Sequence, residues 1–258
     1  MKYSLLQGDL KFKIIPILQN IVSYNQSELS NLFDGIEESK NELDFTKRGK
    51  PGDILNDNFE MFFDKIGLGI DLPIWFEWEK DKKKTMIIGR DPQRNHNTHE
   101  LIISSPFGLA NKKGRESIKN KYWQFTEPLL ENNRVYITDV YKLFAKSLTD
   151  RKLIRKDKET HYGILKQEID VIKPDNIITI GKDAKIAISK ILECSSEDPF
   201  LTTKRGIDVH FVPHISNMVL QNFIPIANLF LSIGKLKNES HLQKIGKDIL
   251  EHKDELFK

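Results

Sequence analysis

The sequence predicts an α/β fold, a three-layer αβα sandwich with a central four-stranded, mostly parallel sheet. Three observations carry that expectation. Short β-branched apolar runs recur at Thr85–Ile88, Val135–Thr138, Asn176–Ile180 and Val209–Pro213. Each has the length and composition of a strand buried on both faces. Stretches with helical spacing separate them, and regular strand–helix alternation gives a parallel sheet with helices on both sides.

Residues 1–80 read as mainly helical and heterogeneous. Ile14, Ile17, Leu18 and Ile21 share one helical face, and Phe59, Phe62, Phe63 and Ile66 share another. Between them Thr46–Asp53, TKRGKPGD, reads as a loop of glycines, proline and cations. Pro73–Lys80, PIWFEWEK, reads as an aromatic segment packed onto the domain, with a ring stacked on nucleic acid as the alternative. The four strands follow, separated by helices at Tyr122–Leu130, His161–Ile172 and Ala184–Leu192, with a further helix at Val219–Ile233. Leu236–Leu256 reads as a charged outer helix. The expected division is an N-terminal, mainly helical extension (1–83) packed on the core, an αβα catalytic domain (84–235) and a C-terminal helix (236–258).

Composition narrows the function classes. A chain of 258 residues with 30% charged and 39% hydrophobic residues is long enough for one sizeable core. Lys+Arg 40 against Asp+Glu 37 leaves +3, which permits a polyanionic partner without demanding one. The single cysteine, Cys194, excludes an internal disulfide and any multi-cysteine zinc or iron–sulfur site. No apolar run reaches the roughly 20 residues of a membrane helix, and the N-terminus lacks a signal-peptide pattern. A cytoplasmic, monomeric protein with no membrane contact is expected. The Gly-x-x-x-x-Gly-Lys-Ser/Thr phosphate loop is missing, which argues against a P-loop nucleotidase.

In a doubly wound sheet the working residues lie at the carboxyl ends of the strands. Read in order, those ends are Gly89-Arg90-Asp91-Pro92, Thr138-Asp139-Val140-Tyr141-Lys142, Gly181-Lys182-Asp183-Ala184 and Pro213-His214-Ile215-Ser216-Asn217. Two carboxylates, a histidine and a glycine-led helix start would converge on one rim. Pro92 restricts the backbone of Asp91 to extended geometry and holds the carboxylate beyond its strand; a turn or helix-cap role is the plainer alternative. Asp139 reads either as a site carboxylate or as a cap or partner for Lys142. His96 and His99 with Glu100 have a spacing that can hold a metal, but solvated loop histidines are commoner, and neither metal nor cofactor is expected. Arg90, Arg94, Lys112-Lys113, Lys47-Arg48, Lys50, Lys80–Lys84 and Arg151–Lys158 are cationic, and each run reads as phosphate contact or solvated surface.

The set of strand ends resembles the uracil-DNA glycosylase superfamily in pattern and order. IIGRDP is similar to the family's strand-end Gly-x-Asp-Pro motif, VYITDVYK to its base-reading strand, IKPDNIITIGKDA to its third strand and helix start, and VHFVPHISNM to its His-x-Ser loop. The resemblance covers about residues 84–233 and implies a uracil-DNA glycosylase-like fold and a DNA partner. It makes Asp91 the group that positions water and balances the oxocarbenium ion. It makes His214 the donor to the departing base, with Gly89 in the motif beside Asp91. It places an intercalating wedge at Met218, against a packing role at the start of the following helix. Ser216, Asn217 and Lys182 would grip phosphates, with Arg90 and Lys142 as further DNA contacts.

Departures from the family pattern point to the base. Gln93 stands where the uracil-specific branch has an aromatic screen against 5-substituents. Asp139 stands where that branch has asparagine. An ionised carboxylate only accepts hydrogen bonds, so it repels uracil O4 and suits the amino group of cytosine N4. The aromatic platform for the flipped base falls near Ile103, and Phe107 is the candidate in its place, against a reading as a core anchor. A DNA glycosylase for 5-modified cytosine, with a role in antiviral defence, is therefore the leading expectation. A uracil or damaged-base repair glycosylase, a catalytically inactive nucleic-acid-binding member, and an unrelated hydrolase using Asp91 and Asp139 remain the alternatives.

Overall fold

The computed structural model describes residues 3–38, 47–92, 97–116, 120–195, 197 and 200–212. Its helices are α1 (Leu10–Leu18), α2 (Gln26–Glu38), α3 (Pro51–Ile54), α4 (Lys112–Glu116), α5 (Lys121–Leu129), α6 (Leu148–Lys156), α7 (Lys158–Ile172) and α8 (Lys182–Ile191). Its strands are β1 (Lys47–Gly49), β2 (Gly69–Asp71), β3 (Ile74–Phe76), β4 (Lys83–Gly89), β5 (Leu101–Ser104), β6 (Asn133–Asp139), β7 (Asn176–Ile180), β8 (Phe200–Thr202) and β9 (Asp208–Val212). The helices expected at 219–233 and 236–256 lie outside the described residues.

The main sheet runs β3-β6-β4-β7-β9-β8. Its centre is the expected set of four strands, with β4 parallel to both β6 and β7, and β7 parallel to β9. An antiparallel strand extends each edge, β3 on β6 and β8 on β9, so among the described residues the sheet has six strands rather than four. The central strands form where the β-branched runs predict, because their side chains are buried on both faces: Met86, Ile87, Ile88, Ile177 and Ile178 have no exposed surface.

Residue alternation along β6 sorts the layers. Tyr136 and Thr138 both meet Glu168 of α7, so that helix covers one face. Phe76, opposite Val135 in the ladder, packs its ring 5.4 Å from Trp123 of α5, which puts α5 on the other face. Asp139, in step with Val135 and Ile137, belongs to the α5 face. In sequence order the four parallel strands are arranged second-first-third-fourth. The direction of winding therefore reverses between β4 and β7, and ligands bind at the strand carboxyl ends beside such a reversal.

The N-terminal third contains strands that its composition does not announce. Lys47–Gly49 is strand β1, and Pro51 opens the helical turn α3 at the position a proline favours, so the described part of that segment, 47–53, is not simply loop. β1 pairs antiparallel with β5, and β2 pairs parallel with β5, forming a second, three-stranded sheet. The phenylalanine-rich segment is a 3₁₀ turn over Asp57–Phe62 rather than an α-helix. Ile74-Trp75-Phe76 packs as expected, and does so as an edge strand with Trp75 fully buried and its indole N–H donated to the Gln7 carbonyl at 3.0 Å. Burying a side chain of this kind contributes roughly 1.5–3 kcal/mol. The apolar core is continuous from Tyr3 to Val212.

Candidate active site at the strand ends

Gly89 closes β4 directly beside Asp139, the last residue of β6. Two bonds carry the pairing past the strand ends: Val140 N–H donates to the Gly89 carbonyl at 3.0 Å, and Tyr141 N–H to the Arg90 carbonyl at 2.9 Å. The Asp91 turn and the Asp139 turn are thus tied together. Gly89 has no side chain because there is no room for one. A Cβ there would lie 2.3 Å from Asp139 Oδ1 and 2.8 Å from Phe107 Cζ. The structure therefore brings three of the expected base-site residues, Gly89, Asp139 and Phe107, to one point. Asp139 is 4% exposed.

Phe107 is held in an unusual backbone conformation, φ +57°. A left-handed non-glycine residue costs on the order of 1–3 kcal/mol and persists only where its surroundings impose it. The Ser105 hydroxyl accepts from Ala110 N–H at 2.8 Å, and the buried Arg115 guanidinium donates to the Leu109 and Ala110 carbonyls. Those bonds fix the turn over Pro106–Gly108 and aim the ring at Gly89. Ile103, where the family's platform residue falls, is fully buried in β5 between Lys47 and Ile70 and takes no part.

Asp91 stands at the reversal of the sheet. Its carboxylate accepts from Arg90 Nε at 2.9 Å. Arg90 Nε also lies 4.0 Å from Asp183 Oδ2, and Arg155 of α6 approaches the same oxygen at 3.8 Å. Each pair includes an arginine about 40% exposed, so it contributes little to stability, and its effect is to orient the groups. A guanidinium has five N–H donors, so both arginines keep donors beyond these contacts. On the α6 side, Asp91 lines a small recess with Tyr141, Leu143, Phe144, Ile154, Arg151 and Arg155. Lys152, Arg155 and Lys156 are exposed on α6 at helical spacing, next to that recess.

Lys182 and Asp183 open α8 after Gly181, whose φ of +89° and ψ of 171° form a conformation reserved for glycine. Gly181 N–H donates to the Val212 carbonyl at 2.8 Å, so β9 ends at the same rim. Gln93, His214, Ser216, Asn217 and Met218 lie outside the described residues, as does His96. His99 is exposed, and the neighbouring Glu100 lies 3.8 Å from Arg48.

Lys142, expected as a DNA contact, is buried instead. Its ammonium is 2% exposed and donates to Glu168 Oε2 and Thr138 Oγ1, each at 2.6 Å, on the α7 side of the sheet. Lys142 is four residues from Thr138 and turns back under the sheet, because Glu168, with no exposed surface, needs a partner there. Tyr136 completes the cluster by donating to Glu168 at 3.2 Å. Burial first, then the Glu168 charge, push its phenol well above the ordinary range. His161, also buried, accepts Lys142 N–H on Nδ1 at 3.2 Å. Desolvation lowers its pKa to about 4, so it stays neutral.

Sequence reasoning also missed Tyr122. Asn120 caps α5 by accepting Trp123 N–H at 3.1 Å, which sets Tyr122 in the first turn. Its ring stacks on Phe107, with centroids 4.0 Å apart and planes 6° from parallel. No spacing in the sequence marks it, since residues 107 and 122 meet only through the fold.

A family model described as Uracil DNA glycosylase superfamily matches residues 76–237. No curated protein matches the chain.

Proposed function

From the premise that the chain belongs to the uracil-DNA glycosylase superfamily, we propose that it hydrolyses the N-glycosidic bond of a base extruded from DNA, and that the base is a 5-modified cytosine. The observation that carries the reading is the meeting of Asp139, Phe107 and Gly89 at the strand ends, with Asp91 two residues beyond Gly89. A glycosylase must take its base out of the stack, read its edge and hold its face. Asp139 supplies an acceptor for the edge and Phe107 a platform for the face.

In this reading Asp91 orients the attacking water and offsets positive charge on the sugar as the bond opens. His214 donates to the base as negative charge builds on it. Supporting that role, β9 ends at Val212 on the rim shared with Gly181, two residues before His214. The Arg90 hydrogen bond keeps the Asp91 carboxylate in one orientation. A carboxylate only accepts, so Asp139 favours the cytosine amino group over a carbonyl, and a good base contact is worth about 1–3 kcal/mol of discrimination. Gln93 in place of an aromatic screen leaves room for a 5-substituent. Arg90, Lys182 and the exposed cations of α6 offer the track for DNA phosphates. Defence against phage whose DNA carries such bases is the setting this specificity suits.

The test is a panel of duplexes carrying uracil, cytosine, 5-hydroxymethylcytosine and its glucosylated forms, scored by alkaline cleavage of abasic sites. Cutting of the modified cytosines is expected, with a loss on the order of 10²- to 10³-fold in Asp91→Ala. Cutting of uracil alone rejects the base assignment. Salt-sensitive binding without abasic product points instead to a member that binds DNA and does not cut it.

A further inference from the structure

The Phe107–Tyr122 pair has the geometry of a base stacked on an aromatic platform: parallel planes, offset by no more than a stacking distance. The platform end of that pair, Phe107 Cζ, lies against Gly89 together with the Asp139 carboxylate. Tyr122 is the other ring of the pair. Burial pushes its phenol pKa up to about 12; the Asp139 charge adds to that shift and the Arg90 charge opposes it. The hydroxyl thus lies within electrostatic reach of Asp139 and of Arg90, the groups that flank the Gly89–Asp91 turn.

We infer that the Tyr122 ring is a displaceable stand-in for the nucleobase: in the free protein it stacks on Phe107 beside Asp139, in the slot an extruded base must take, and it swings aside as the base enters. This rests on the proposed glycosylase reading and adds a gate to it. The ring keeps the platform covered and the buried Asp139 shielded from water until DNA arrives. A base of poor complementarity displaces it less readily, so Tyr122 raises the threshold for entry as well as filling the slot. The open form is a minor state, and apparent affinity for the flipped nucleotide is reduced by its fractional population. An aromatic stack of this kind corresponds to about a 2- to 10-fold bias toward the closed form.

The experiment uses the full chain and a duplex whose target 5-hydroxymethyldeoxycytidine carries a 2′-fluorine that blocks cleavage, with 2-aminopurine beside it to report unstacking. Tyr122→Ala is expected to bind about 2- to 10-fold tighter than wild type, with higher 2-aminopurine emission. Tyr122→Phe, which keeps the stack, should stay within about 2-fold of wild type. In protein labelled with 3-fluorotyrosine, the ¹⁹F resonance missing from Tyr122→Phe should shift in wild type when the duplex is added. Weaker binding and lower emission in Tyr122→Ala, as in Phe107→Ala, or a resonance unmoved by saturating duplex, overturns the gate. If wild type cuts nothing on the panel while Tyr122→Ala still flips more base, the glycosylase reading fails and the gate stands. If wild type cuts but the Tyr122 resonance does not move, the reverse holds.

Discussion

Replacing Gly89 by alanine tests the proposed pocket at its tightest point. The added methyl would sit 2.3 Å from Asp139 Oδ1, and carbon and oxygen approach to about 3.3 Å at closest in ordinary contacts, so the carboxylate must retreat by about 1 Å. It would also sit 2.8 Å from Phe107 Cζ and 3.1 Å from Cε1, against a preferred carbon–carbon separation of about 3.5–4.0 Å. Phe107 has little freedom to yield, because Ser105 and Arg115 fix its turn and Tyr122 covers its face. The carboxylate therefore rotates and the platform tilts. Overpacking of this kind costs about 1–3 kcal/mol of stability, and a 1 Å misplacement of a substrate-positioning group costs on the order of 10²-fold in rate. The assay is single-turnover cleavage of the best duplex, with thermal unfolding alongside. Gly163→Ala is the control: it lies in α7 with nothing within 4 Å of the new methyl. That change should stabilise by about 0.5–1 kcal/mol and leave the rate alone. A Gly89→Ala protein that melts and cuts like wild type would show that Asp139 and Phe107 do not share a pocket over Gly89.

The Lys142–Glu168 pair should prove structural. Lys142→Met or Glu168→Gln alone strands a buried charge and should cost about 3–5 kcal/mol in denaturant unfolding, while Lys142→Met with Glu168→Leu should cost well below the sum. The salt dependence of DNA binding should be unchanged in the double variant, and a reduced slope would restore Lys142 as a phosphate contact. His161 should make the protein acid-labile. Its pKa falls from 6.5 to about 4 on folding, chiefly by desolvation, with Asp157 opposing the fall and Lys142 adding to it. The unfolded chain then binds the extra proton between those values, so stability is full above pH 6.5 and declines as pH drops through the window. The loss from this residue is about 2 kcal/mol between pH 7 and pH 5. His161→Phe should flatten that limb of the urea-derived stability profile, and an identical slope in both proteins refutes the assignment.

The four central strands were legible because burial on both faces demands continuous β-branched runs, and such runs are local. The short strands were not. β1 is three residues of exposed or half-exposed lysine, arginine and glycine, and it is a strand only because β5, more than fifty residues on, lies beside it. Phe107 was put forward by its distance from the family's platform position, and the structure places it at Gly89 through a strained turn that composition does not reveal. Lys142 was expected as a DNA contact, or as the partner of Asp139 three residues before it, whereas the partner that holds it, Glu168, is 26 residues away.

From residue order alone came the chemistry: a carboxylate before a proline, a second carboxylate at the next strand end, a glycine between strand and helix, and the family pattern they compose. These are local facts of spacing and side-chain type. Which side chains meet is not local. Tyr122 against Phe107, the Asp139 carboxylate over a bare Gly89, and Lys142 turned inward to Glu168 each depend on where the layers pack, because desolvation and contact act through space between residues that the chain keeps apart.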